Sequence, residues 1–184
     1  MMRQAFDEAS AHNLPLILAS TTGRTARTLL EMIQGCPVRL IVVTHDPRRV
    51  SPDAKFEPET IKRLQESGQF FVQDKAPFLP SLRVTRWLEH YFGISSLSRR
   101  EKSLERMFGV GGKVCFLIVE RAIKAHLVGS GESVVAMAGS QSGVDTAMVL
   151  KIEKVRPVRI VLERMLAYSE NQNRFDAKNA SYAY

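Results

Sequence analysis

A short apolar run that stops on small polar residues, and restarts at once with helical spacing, constrains this chain more than any other feature. Residues 14–19 read Leu-Pro-Leu-Ile-Leu-Ala, the signature of a strand covered on both faces. Ser20, Thr21, Thr22 and Gly23 break the run, and Ala26, Leu29, Leu30 and Ile33 then recur at the i, i+3, i+4, i+7 spacing of a helix. Gly35 ends that helix and Pro37 prevents its continuation. Residues 38–44 (Val-Arg-Leu-Ile-Val-Val-Thr) form a second strand rich in β-branched residues. A strand–helix–strand order of this kind implies parallel pairing through a right-handed crossover.

The rest of the chain extends the pattern. Residues 1–13 read as a helix carrying Ala5, Ala9 and Ala11. Residues 45–58 form a loop containing Pro47, Pro52 and Pro58, near the length at which irregular connections become uncommon and usually have a role. Pro58 opens a helix with Ile61 and Leu64 inward and Gly68 as its stop, and residues 70–72 follow as a third strand. Val84, Trp87, Leu88 and Tyr91 recur at helix spacing. Ser98 to Glu101 is a capping-box pattern ahead of Leu104, Met107 and Phe108. Gly109-Val110-Gly111-Gly112 interrupts, and a further helix carries Val114, Leu117, Ile118, Arg121 and Ala125. Residues 133–138 and 146–152 read as strands, and residues 158–166 fit either element. From residue 169 the chain has too little apolar surface to order itself. The expectation is one α/β domain over residues 1–168, with a mostly parallel sheet of about five strands and a polar tail at 169–184.

In that frame the turn after the first strand is an anion site. The first turn of a helix leaves N–H groups unbonded, and its dipole favours negative charge there. Gly23 lets an anion approach the backbone, Ser20, Thr21, Thr22 and Thr25 supply hydroxyls, and Arg24 adds a planar cationic fork. A plain N-cap needs one such residue, not four with an arginine. The loop is not a Walker motif, because the Lys-Ser/Thr ending is missing. A second small-residue loop, Gly139, Ser140, Gln141, Ser142 and Gly143 followed by Asp145, also leaves a strand. Loops at strand C-terminal ends form the ligand crevice of open α/β sheets, and the competing reading is an ordinary turn. Thr44 and His45 end the second strand on the same edge, where His45 can meet a ligand or simply bond a nearby carbonyl.

Charge and cysteine content narrow the context. The 184 residues carry a formal net charge of +7, which attracts nucleic acid, anionic lipid or phosphorylated small molecules without choosing among them. No apolar run approaches the ~18 residues of a membrane span. The N-terminal stretch lacks the apolar core of a signal peptide. Neither Cys36 nor Cys115 lies in a metal-binding pair, so a reducing, cytoplasmic setting without a metal is the expectation.

Four motifs, in order over roughly residues 5–152, carry a resemblance to a known family. They are Ala19 to Ala26 (Ala-Ser-Thr-Thr-Gly-Arg-Thr-Ala), Val43-Thr44-His45, Leu104 to Val114 and Gly143-Val144-Asp145-Thr146-Ala147. The first resembles the phosphate loop in the C-terminal domain of pyruvate kinase, and the set is similar to the free-standing pyruvate kinase α/β-domain-like proteins. The resemblance implies a three-layer α/β/α sandwich and a bound phosphorylated small molecule, with flavin mononucleotide (FMN) as the leading cofactor. It implies no pyruvate kinase activity, since the catalytic barrel has no room in this chain. Two departures stand out. After His45 the family continues with Gly-Phe and Pro-Gly, where this chain has Asp46 to Pro52. In the helix after Lys113 the family carries an acidic residue early and an Asp-Ala-Gly late, where this chain has Leu117 and Lys124-Ala125-His126.

Two other readings stay open. Arg83, Arg86, Arg99, Arg100, Lys102, Arg106, Arg121 and Lys124 collect in the helical middle. They would suit a nucleic-acid surface, although no aromatic platforms are interleaved with them. A regulatory or scaffold role through the same basic face, with a homo-oligomer among its forms, is the third.

Overall fold

Leu16–Ala19 forms strand β1, and its alternation decides what packs on either side. Leu16 and Leu18 join Leu29, Leu30 and Ile33 on one face of the sheet, whereas Ile17 joins Phe116, Val119 and Ala122 on the other. Apolar layers on both sides remove the need for polar alternation, which is why the run reads as continuous. The computed structural model describes residues 1–45, 55–73, 99–139 and 143–168. The helix read near residues 84–91, the cap at Ser98 and the tail at 169–184 lie outside them.

The other elements are α1 (Met2–His12), α2 (Arg24–Ile33), β2 (Leu40–Thr44), α3 (Pro58–Glu66), β3 (Phe70–Gln73), α4 (Arg99–Lys124), β4 (Ser133–Ala138), β5 (Thr146–Val155) and β6 (Val158–Tyr168). The sheet has the order β3-β2-β1-β4-β5-β6. β1 pairs parallel with β2 and β4, and β2 pairs parallel with β3. β5 and β6 add antiparallel pairs. The sheet therefore has six strands where the sequence suggests about five. The additional one is the segment whose spacing fits either element. Pairing along β5 settles it as a strand: Ile160 and Leu162 turn into the core while Arg159 and Glu163 stay exposed.

Handedness places the layers. β2 and β3 lie successively to one side of β1, so right-handed crossovers put α2 and α3 on one face, where α1 joins them. β4 lies on the other side of β1, so the same hand sends α4 to the opposite face. The result is the expected three-layer α/β/α arrangement. It also makes the ends of β1 and β4 the point where successive connections diverge, the place at which open α/β sheets keep their ligand crevice.

The glycine interruption at 109–112 is a reversal. In a straight helix Arg100 and Glu120 would stand about 30 Å apart. Instead Arg100 Nη1 lies 2.5 Å from Glu120 Oε1, and Lys113 Nζ lies 2.7 Å from Glu105 Oε2. Gly109, at φ 69° and ψ −177°, folds α4 back on itself, and Phe108 stacks on Phe116 with centroids 5.3 Å apart. Gly111 and Gly112 let the second half approach closely. A Cβ on Gly111 would sit 2.2 Å from Thr146 Oγ1, and one on Gly112 would sit 2.4 Å from the Phe108 Cβ.

α4 ends in a Schellman motif: the Leu127 N–H donates to the Ala122 carbonyl and the His126 N–H to that of Ile123, both at 3.0 Å. The residue between must be left-handed, and His126 is, at φ 57°. A side chain there is strained where glycine is not. His126→Gly should therefore raise the melting temperature by about 2 °C, read by thermal denaturation. A lowered melting temperature would mean the imidazole makes a stabilising contact of its own.

Candidate functional site

The turn after β1 is held by its own backbone and by β2. The Ser20 N–H donates to the Val43 carbonyl at 3.0 Å, and the Thr44 hydroxyl donates to the Thr21 carbonyl at 3.4 Å. Ser20 is buried, and its Oγ accepts the Gly23 N–H at 3.2 Å. Gly23, at φ 95°, is the N-cap of α2, and its carbonyl accepts the first helical bond from the Arg27 N–H at 2.9 Å. No side chain caps this helix, and its first turn holds no acidic residue. Of the hydroxyls clustered here, Ser20 holds the Gly23 N–H and no side chain caps the amides of the first turn. The helix N-terminus keeps its positive partial charge and donor groups.

That N-terminus opens on a cavity of about 450 Å³. Ser20, Thr21, Thr22, Arg24 and Thr25 line one side, with Thr44 and His45 from the end of β2, and Gly139 and Gly143 from the second loop. The opposite wall is α4, through Val114, Leu117, Ile118 and Arg121, one helical face at i, i+3, i+4 and i+7. Met2 and Val144 complete the apolar lining. Among the described lining residues, Arg24, Arg121 and His45 can carry positive charge and none is a carboxylate.

The sequence candidates therefore converge in large part. Gly23 sits behind the loop, where a Cβ would lie 3.1 Å from the Phe56 ring. Gly139 is compulsory for another reason, since a Cβ there would fall 1.8 Å from the Gly143 carbonyl oxygen. Gly143 itself is left-handed, at φ 93°. Ser140, Gln141 and Ser142 lie outside the described residues. Asp145, read in the sequence as part of the second loop's ligand wall, is not among the residues lining the cavity. Its N–H donates to the Ala138 carbonyl at 3.1 Å, and its Oδ1 accepts the Thr146 hydroxyl at 2.8 Å beside Gly111. The sequence reads the α4 wall as a helix whose Arg121 belongs to a basic face, not as cavity lining. Its sole outward signal is Arg121 on an otherwise apolar face.

Chemistry behind the cavity is quiet. Cys115 is fully buried, its Sγ 3.6 Å from the Ala136 carbonyl. Burial, with the Asp145 carboxylate adding to it, pushes its thiol far above the ordinary thiol range, so it is no nucleophile. Burial and the same carboxylate push the Tyr168 phenol up. Among the described residues there is no cluster of histidine, cysteine or carboxylate ligands suited to a metal ion, and no helix is long and apolar enough to cross a membrane.

A family model described as the pyruvate kinase alpha/beta domain matches residues 2–152, taking in both strand-end loops and the whole of α4. The chain belongs to the pyruvate kinase α/β-domain family.

Proposed function

We propose that the cavity binds a phosphorylated small molecule by its phosphate, with FMN as the leading candidate, and that the protein has no pyruvate kinase activity. The observation that carries this reading is the start of α2. It begins on a glycine without a side-chain cap or an acidic first turn, and it faces a cavity with basic but no acidic lining among the described residues. The residues present fit the group. The volume lies within the ~300–1,000 Å³ of small-molecule sites. The phosphate would meet the first-turn amides, the hydroxyls of Thr21, Thr22 and Thr25, and Arg24. The apolar face of α4, with Val144, would suit a flat ring. Bound flavin would supply the redox chemistry, and the protein its orientation and electrostatics. In the basic helical middle, Arg100 is paired with Glu120 and Arg121 lines the cavity, while Arg99, Lys102, Arg106 and Lys124 are exposed.

Calorimetric titration with FMN, riboflavin and inorganic phosphate tests the reading. FMN should bind at least about tenfold more tightly than riboflavin, the share expected of charge-assisted bonds to a phosphate. Equal affinity for the two would remove the phosphate anchor. Binding of phosphate without FMN would move the search to other phosphorylated ligands.

A further inference from the structure

We propose that Phe56 and Glu57, which stand in front of α3 and do not line the cavity, are positioning residues that hold the anion loop in its ligand-ready shape. This rests on the phosphate reading above. The loop turns on Gly23, which has no side chain to anchor it. Phe56 fills that space, its ring atoms lying 3.1–3.3 Å from where a Cβ would stand. Phe56 is in turn fixed edge-on against Phe71 of β3, centroids 4.8 Å apart at 61°. The Glu57 N–H donates to the Thr22 carbonyl at 3.0 Å. On the other side of the same peptide, the Gly23 N–H donates to Ser20 Oγ.

A trans peptide carries its C=O and N–H on opposite sides, so these two bonds pin the Thr22–Gly23 plane. A flipped plane would break both bonds at once. With the plane fixed before binding, the ligand need not order the loop, and affinity rises by the ordering cost avoided. The Glu57 carboxylate completes the clamp: its Oε2 accepts from the Thr60 hydroxyl at 3.0 Å and from Arg27 Nη1 at 3.4 Å, joining the starts of α2 and α3. Residues 45–58, singled out in the sequence as a loop with a role, thus end in contacts that shape the site from behind.

Three variants test this. Phe56→Ala removes the ring. Glu57→Pro removes the N–H at a residue whose φ of −63° proline tolerates. Glu57→Ala removes only the carboxylate. Amide hydrogen exchange without ligand should speed up at Gly23, whose N–H is held by Ser20 Oγ, in the first two variants while the sheet amides stay protected. FMN affinity should fall about tenfold and riboflavin affinity by less than about twofold, because only the phosphate end senses the loop. Glu57→Ala should lose less than Glu57→Pro, the difference isolating the N–H. Unchanged exchange at Gly23, or equal losses for FMN and riboflavin, would overturn the clamp. If the wild-type protein binds neither FMN nor inorganic phosphate, the phosphate reading falls, and the exchange measurement still decides the clamp.

Discussion

Arg24→Glu should remove the protein's affinity for phosphate-bearing ligands while leaving it as stable as before, or slightly more so. The two effects have opposite signs because one residue faces two electrostatic demands. Arg24 is the first residue of α2, whose opening turn holds no acidic side chain. A cation at a helix N-terminus opposes the macrodipole and a carboxylate complements it, so the fold gains from the change. The gain should amount to ~1–3 °C in melting temperature. At the cavity the same change deletes a charge-assisted donor and places a like charge beside the phosphate. The loss should be about a hundredfold or more in Kd. Calorimetry and thermal denaturation on one sample separate the effects. Unchanged affinity would remove the phosphate reading, and a parallel fall in stability would mean that Arg24 serves the fold. Gly23→Val should also abolish binding, but with lost stability, since a β-branched residue is forced to φ 95° against Phe56.

The second large effect lies at the fold-back of α4. Gly111→Val should destabilise the protein by about 3 kcal/mol, the upper part of the range for overpacking a closed core. A Cβ there overlaps Thr146 Oγ1 at 2.2 Å and Asp145 Oδ1 at 2.6 Å, groups fixed at the start of β5. The second half of α4 would have to lift from the sheet, taking the Val114–Arg121 wall of the cavity with it. Gly129→Ala is the contrast: its nearest neighbour would be a glutamate oxygen at 3.6 Å, so its effect should stay within about 0.5 kcal/mol. Urea denaturation reads both. Equal stabilities would mean that the close approach at Gly111 is not a constraint.

The parts of this molecule legible in the sequence are those governed by short-range rules. β1, α2 and β2 follow from burial and spacing, and Gly68 stops α3 with the φ of 68° that only glycine adopts without strain. The anion loop is legible for the same reason, since its hydroxyls, glycine and arginine lie within six consecutive positions. What depends on distant pairing is not. β6 is ambiguous alone and becomes a strand only against β5. The α4 wall looks like core because its apolar residues do contact the core, and only the reversal at Gly109 turns one flank toward β1 and β2. Asp145 sits in a loop rich in small residues that suggests a ligand contact, yet its carboxylate accepts the Thr146 hydroxyl beside Gly111. The clamp was invisible for a similar reason: nothing local links Phe56 to Gly23.

The register of the central strand has a consequence for how the protein is made. Leu16 pairs with Leu40 early in the chain but with Val135 near its far end. Contacts so distant in sequence carry a large loop-closure entropy and form late when chains fold. The first half of the polypeptide can build β1, its turn and α2 on local contacts alone. The groove between β1 and β4 cannot exist until the last third has docked. A nascent or truncated chain would thus display the turn of residues 20–25 without the cavity around it.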